Sequence, residues 1–392
     1  MKEIVLDDSK YKIRYFPVLS QLNYRLTTNN TTIRITDFYK RILVNSFYMK
    51  GSNSFHLDFL KKNGIEVMAD SGGWQFQIGR LKESDLTGIF DFQSHFGDWI
   101  FQLDLPDYIN NSIDAWKKSI KRTKSYSEYF LNTFGKKDKY IPVLHGNTYE
   151  KLTLWHDMLR DLDYENIAIS TKVDNTVSNA FGYILALLWW LKNSDVKVNM
   201  LHLLGFTKTP YLPLFIYLHK KYEDRFKYLS FDSITPNFLG INMKYQYGNN
   251  GEYQGDINLR KNIEFQKRPF PCNCEFCQFA NKTYGTVGNF ISSSPQDVYT
   301  LLYLHHLQHY IERIIDAYNE AMKIDEIGLR KYLLEKYLSK SKKSLWNRNN
   351  LLVLQKGIED LDYVNSSQFK NAFESIAKKS GMVKTQIKRL VI

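Results

Sequence analysis

Short apolar runs, each followed by a stretch with apolar residues three or four apart, recur at fairly even intervals as far as Asp232. The runs predict strands at Ile13–Val18, Arg41–Asn45, Glu66–Asp70, Trp99–Asp104, Tyr140–His145, Ile167–Ser170, Val198–Gly205 and Tyr228–Asp232. Between them, Ile113–Phe130, Glu150–Leu162, Ser178–Lys192 and Tyr211–Tyr222 have the amphipathic spacing of helices. Strand–helix alternation predicts an α/β chain with a parallel sheet, and eight repeats predict a (β/α)8 TIM barrel. A doubly wound open sheet is the rival, but no GxGxxG follows the first strand.

What stands at the strand ends turns this pattern into a functional expectation. Asp70, Asp104, His145, Ser170 and Asp232 each close a predicted strand. In a barrel those ends meet on one face, where sites are built. A single polar residue there is explained as a turn residue or a helix cap. Three aspartates and a histidine arriving together point to chemistry. The stretch VMADSGGWQFQ, Val67–Gln77, is the most pointed case. An apolar strand stops at two glycines flanked by a carboxylate and an indole. An acid beside a flat apolar face suits holding and protonating a planar heterocycle.

After Asp232 the alternation breaks. Asn237–Pro271 is rich in Asn, Gly, Tyr and basic residues, and NNGEYQGD reads as a hairpin turn. A helix is expected from Ser294-Pro295, with Ser294 as N-cap and Asp297 in the first turn. From about Asp316 the chain reads as helical and basic. The expected division is a barrel over 1–236, a hairpin insertion with a zinc-binding subdomain over 237–315, and a helical C-terminal extension over 316–392.

Composition narrows the partners. A net charge of +12 favours a polyanionic partner. No apolar run is long enough to span a bilayer, Ile184–Leu191 being too short, so no membrane partner is expected. The start, MKEIVLDDSKYK, lacks the layout of a signal peptide, and a cytoplasmic location is expected.

All three cysteines fall within six residues, Cys272-Asn273-Cys274-Glu275-Phe276-Cys277, which excludes a disulfide framework. CxCxxC followed by His305, His306 and His309 on a helix points to a closed Cys3His structural zinc site. Residues one apart on a helix diverge by about 100°. His305 and His306 therefore cannot both face the metal. His309, one turn from His305, remains a competitor.

Together these motifs resemble the tRNA-guanine transglycosylase superfamily. DSGGWQ is similar to its DSGGFQ. GDINLRKNIEFQKRPFPCNCEFC resembles the loop leading into its zinc module, and the helix with His305-x-Leu resembles the segment that completes it. YLSFDSITP resembles the strand carrying its nucleophilic aspartate, and RILVNSFYMK resembles an early strand. The likeness runs from about Phe16 to Ile314. It implies a TIM barrel that exchanges guanine for a 7-deazaguanine at a glycosidic bond, with Zn2+ in a structural role.

By position, the resemblance implies that Asp232 is the nucleophile at C1′ and Asp70 the general acid/base. Ser71, Gly72 and Trp74 fall in the base-binding turn, with Trp74 stacking on the base. Asp104, in LDLPD, would read the base's N–H edge. Gly205 matches the glycine segment before the last strand, and Phe206 would close the other side of the stack. The zinc ligands would be Cys272, Cys274, Cys277 and His305.

The departures bear on substrate. His145-Gly146-Asn147 stands where the family has Gln-Gly-Gly. Ser170-Thr171-Lys172-Val173 replaces a glycine-rich turn at the deazaguanine substituent. Asn237, Phe238 and Ile241 replace a threonine and two arginines that contact the anticodon. These losses resemble the DNA-modifying branch. The expectation is a DNA-guanine transglycosylase inserting a 7-deazaguanine such as preQ0, with the target guanine flipped or single-stranded and a homodimer or accessory proteins as further partners. Phe238 would stack on a neighbouring base, and Lys244, Arg260, Lys261, Lys267 and Arg268 would meet phosphates. The alternatives are a tRNA-guanine transglycosylase with divergent target recognition and a non-catalytic nucleic-acid-binding paralogue.

Overall fold

The computed structural model describes residues 3–19, 25–28, 31–49, 54–107, 112–171, 178–247, 254–339 and 344–382. Its strands are β1 (Ile13–Pro17), β2 (Arg25–Thr28), β3 (Thr31–Arg34), β4 (Arg41–Asn45), β5 (Glu66–Asp70), β6 (Trp99–Phe101), β7 (Tyr140–Ile141), β8 (Val143–His145), β9 (Asn166–Ser170), β10 (Val198–Leu203), β11 (Phe226–Ser233), β12 (Lys244–Tyr247) and β13 (Gln254–Asn258). The fold is mixed α/β with two parallel sheets, ordered β1-β11-β10-β9-β8 and β4-β5-β6-β7. β2 pairs antiparallel with β3, and β12 with β13. The first of these pairs was not expected; the second is the expected hairpin, whose turn lies outside the described residues.

The predicted strands are all present; β10 stops at Leu203, short of the expected Gly205, and two others change shape. The run expected to end at Asp104 stops as a strand at Phe101. Beyond it Leu105 N–H leaves the ladder and donates to Thr123 Oγ1 at 3.1 Å. The run Tyr140–His145 is split at Pro142, which has no N–H to give the ladder. The helices expected between strands are present as Ile113–Phe134, Tyr149–Arg160, Ser178–Asn193 and Leu212–Lys221. Lys172 and Val173 lie outside the described residues.

Each parallel strand alternates its side chains between two faces, which sorts one face into layers. At the amino-terminal end Arg14, Arg41, Glu66 and Trp99 form one network: Arg41 Nε to Glu66 is 2.7 Å, Arg14 Nη1 to Glu66 is 3.5 Å, and Trp99 Nε1 donates to Glu66 at 2.6 Å. The next layer is apolar and draws on both sheets. Phe16 (β1), Leu43 (β4), Met68 (β5), Phe101 (β6), Ile141 (β7), Val143 (β8), Ala168 (β9) and Met200 (β10) make one cluster, with Tyr228 (β11) against it. The third layer is polar: Asn45, Asp70, His145, Ser170, His202 and Asp232.

The sheets also meet through backbone. Leu19 N–H donates to Leu43 O at 2.9 Å, Val18 forms a parallel bridge with Leu43, and Val18 N–H donates to Ser233 O. The opposite faces of the strands lie under the helices in a larger core that runs from Ile4 to Phe373. It takes in the helices Pro295–Ala321 and Arg348–Glu359, so the carboxyl-terminal segment is packed into the same core as the sheets.

Candidate active site and metal centre

A cavity of about 440 Å³ opens at the carboxyl ends of the strands. Its lining contains Asp70, Trp74, Asp104, His145, Ser170, Gly205 and Asp232 of the expected site residues. Ser71, Gly72, Gly146, Thr171 and Phe206 do not line it. Ser71 and Thr171 are fully covered. Phe206 is a correction. The turn after β10 sends its ring into the core, 4.9 Å from Phe215 and 5.5 Å from Tyr183. It cannot oppose Trp74 across a base.

The two glycines of DSGG do different work. Gly72 has φ 78°, the left-handed conformation that releases the chain from β5. Gly73 is pressed on its neighbour: a Cβ there would lie 2.4 Å from the Asp104 carbonyl oxygen. The close approach is thus to the segment that carries Asp104. Gly146 is similarly crowded, a Cβ meeting Leu152 backbone at 2.7 Å, which accounts for a glycine there without any ligand.

Asp70 has a strongly perturbed carboxyl. Burial, then repulsion from Asp104 and Asp232, push it up to about 7, against the Gly72 N–H and Asn45. Asn45 Nδ2 donates to Asp70 Oδ2 at 2.5 Å, and Asn45 also bonds Gln75. The register brings them together, since Asn45 stands beside Asp70 across β4 and β5. A carboxyl that ionises near neutrality can give and take a proton.

Asp104 is paired. His145 Nε2 lies 2.6 Å from its Oδ2, and because a carboxylate only accepts, Nε2 carries the proton. The imidazole is held edge-on against Trp155, centroids 4.9 Å apart.

Asp232 is oriented from behind. Gly205 N–H donates to Oδ1 at 2.5 Å, and His202 Nε2 reaches the same oxygen at 3.0 Å. His202 is wholly buried, and its Nδ1 takes a hydrogen bond from Ser230 Oγ at 2.8 Å. Both contacts fall on Oδ1, so Oδ2 has no partner among the described residues. The arrangement presents one carboxylate oxygen to the cavity in a fixed direction.

His202 and Asn45 were missed by the sequence reading. The signal for His202 was an imidazole inside the apolar run VNMLHL, in register with Ser230 two residues before Asp232. The signal for Asn45 was its place at the end of β4, a strand already singled out.

The expected nucleic-acid residues lie elsewhere. Phe238 is exposed on the helix Thr235–Ile241, with Lys244 Nζ 5.4 Å from its ring centre. Arg260, Lys261, Lys267 and Arg268 are exposed, and Lys267 pairs with Glu264 at 2.7 Å. None of the six lines the cavity.

The cysteine cluster forms a second centre. Cys272, Cys274, Cys277 and His305 offer ligand atoms that all lie within 4.8 Å of one another. His305 Nδ1 is 3.3 Å from the sulfurs of both Cys274 and Cys277. Its Nε2 donates to Gln246 O at 2.8 Å, which leaves Nδ1 free to ligate. Three thiolates and an imidazole are the donor set of a structural zinc site, and the residues fit that ion. His306 turns away and donates to Lys244 O. His309 stays close, with Nε2 3.1 Å from Cys272 Sγ and Nδ1 2.8 Å from Glu312. No ligand of this cluster lines the cavity.

Among the described residues no helix is long and apolar enough to cross a membrane. No protein-family model matches the chain, and a search of curated proteins finds no match.

Proposed function

We propose that the chain is a DNA-guanine transglycosylase exchanging a guanine for a 7-deazaguanine base through a glycosyl-aspartate. We infer further that the two parallel sheets are arcs of one (β/α)8 ring, supported by the apolar cluster that takes a residue from strands of both. The single observation that carries the function is the convergence of Asp70, Asp104 and Asp232 on one cavity, each in a different electrostatic setting.

The steps follow from those settings. Asp232 Oδ2 attacks C1′ of the target nucleoside as the C1′–N9 bond breaks, and His202 and Gly205 hold Oδ1. The departing guanine takes the proton of Asp70. The incoming base then gives its N9 proton back to Asp70 and attacks C1′, releasing the Asp232 carboxylate. Asp104, its Oδ2 held by His145 Nε2–H, offers an acceptor to the base edge, and Trp74 offers it a face. Zinc at the Cys3His cluster would contribute folding energy and no chemistry, since its ligands are apart from the cavity.

DNA is favoured over tRNA because Asn237, Phe238 and Ile241 stand where the tRNA enzymes this chain resembles keep a threonine and two arginines for the anticodon. The test supplies labelled guanine or a 7-deazaguanine with matched DNA and tRNA and measures incorporation by nucleoside mass spectrometry. Incorporation into DNA, abolished in Asp232→Ala with nucleic-acid binding kept, is expected. Incorporation into tRNA alone would remove the DNA assignment, and full activity in Asp232→Ala would remove the covalent step.

A further inference from the structure

Ten large hydrophobic side chains are exposed among the described residues, and half of them gather at one place. Tyr48, Trp74 and Ile234 line the cavity mouth, and Phe238 and Ile241 continue from Ile234 along the helix Thr235–Ile241. Ile234, Phe238 and Ile241 are spaced by four and three residues, which puts them on one helical face. They are 51%, 49% and 52% exposed.

The rest of this helix is anchored. Leu239 is buried, Gly240 packs on the Tyr299 ring, and Asn237 Oδ1 accepts from Tyr299 Oη at 2.5 Å. The helix is therefore held firmly while it shows an apolar ridge to solvent. At about 1.5 Å rise per residue the ridge is about 10 Å long. It begins at the cavity wall, beside Asp232. Lys244 stands over Phe238, supplying a cation next to the apolar face.

We propose that Ile234, Phe238 and Ile241 form a wedge that enters a DNA duplex next to the extruded nucleotide, so that double-stranded DNA is the substrate. The proposal rests on the transglycosylase reading for the identity of the base in the cavity. A base drawn from a duplex leaves an unstacked gap, and apolar side chains inserted between base steps fill such gaps. A single strand leaves no gap and needs no wedge. Continuity of the ridge with the cavity places the wedge where that gap would open, and Lys244 suits the phosphate beside it.

The test uses the full chain and an oligonucleotide with 2-aminopurine next to the target guanine, alone or annealed to its complement. Binding of the wild-type protein to the duplex should raise 2-aminopurine fluorescence, which reports unstacking without any chemistry. The double variant Phe238→Ala, Ile241→Ala should lose that rise. It should also lower guanine exchange on the duplex by about tenfold or more, and on the single strand by a clearly smaller factor. Phe238→Leu, which keeps an apolar side chain, should retain most of both signals. No fluorescence rise with wild type, or equal losses on both substrates, would overturn the wedge even if exchange is robust. A rise without exchange would retain the wedge and remove the transglycosylase reading. A double variant that changes from dimer to monomer in sedimentation and keeps the rise would assign the ridge to contact between copies instead.

Discussion

Asn45 and the Gly72 N–H both favour an ionised Asp70, yet burial and two neighbouring carboxylates outweigh them, and its proton is lost only near pH 7. The folded chain therefore keeps a proton that the unfolded chain releases near 3.8. Between those values stability falls as pH rises, and the loss persists above them. Asp70→Asn should remove that slope and stabilise the protein above pH 7 by on the order of a few kcal/mol, measured by urea denaturation at pH 5 and 8. The same variant should abolish base exchange. In the wild type kcat/KM should decline above about pH 7, as the acid form of Asp70 disappears. His202 acts one step further back. His202→Ala should lower kcat roughly ten- to a hundredfold, the worth of one hydrogen bond to a charged group, with little change in KM. Partial recovery in His202→Gln, which can still donate, would separate positioning of Asp232 from a packing role. If KM rises and kcat holds, His202 does not position the nucleophile.

At the scale of elements, the hairpin β12–β13 is fastened to the helix Pro295–Ala321 by the metal cluster. Tyr245 stacks on His305 with centroids 4.7 Å apart, and Gln246 O accepts from the same imidazole. A metal on Nδ1 would therefore tie the hairpin, the cysteine loop and the helix together. Cys277→Ser should cut zinc content, read by atomic absorption, and lower Tm before it alters chemistry. His305→Ala should do the same and His309→Ala should keep the metal, because His305 Nδ1 lies 3.3 Å from two sulfurs while its Nε2 is fixed on Gln246 O. Retained zinc in His305→Ala with loss in His309→Ala would exchange their roles.

For the molecule as a whole, the carboxyl-terminal segment is part of the main core. Trp346 is fully buried, stacked 4.5 Å from Tyr211 and packed 5.2 Å from Tyr337, while Phe181 meets its edge. Phe181 and Tyr211 lie on the segments that precede and follow β10 in the chain. Trp346→Ala should cost about 3–5 kcal/mol in equilibrium denaturation. A chain cut before Ser344 would expose the same surface and should fail to give a cooperative transition. A cooperative, near-native transition in the truncated chain would show that the segment is an independent unit.

Much of this was legible in the chain itself. Short apolar runs located the parallel strands, because burial of both faces makes their sequences nearly continuously apolar. Ser294-Pro295 marked its helix start, since the cap is a local hydrogen bond to Asp297 N–H. The cysteines announced their cluster by spacing alone. Tertiary structure decided what depends on neighbours distant in the chain. Phe206 was expected over the base, but the turn after β10 aims it into the core, and no periodicity reports the direction of a turn residue. Two glycines announced a close approach, yet only the fold revealed that Gly73 abuts Asp104. His202 and Asp232, and likewise Asn45 and Asp70, became partners through register between parallel strands joined by long crossovers. Local sequence sets which face a residue occupies; which residue waits across the sheet is set by how the strands align.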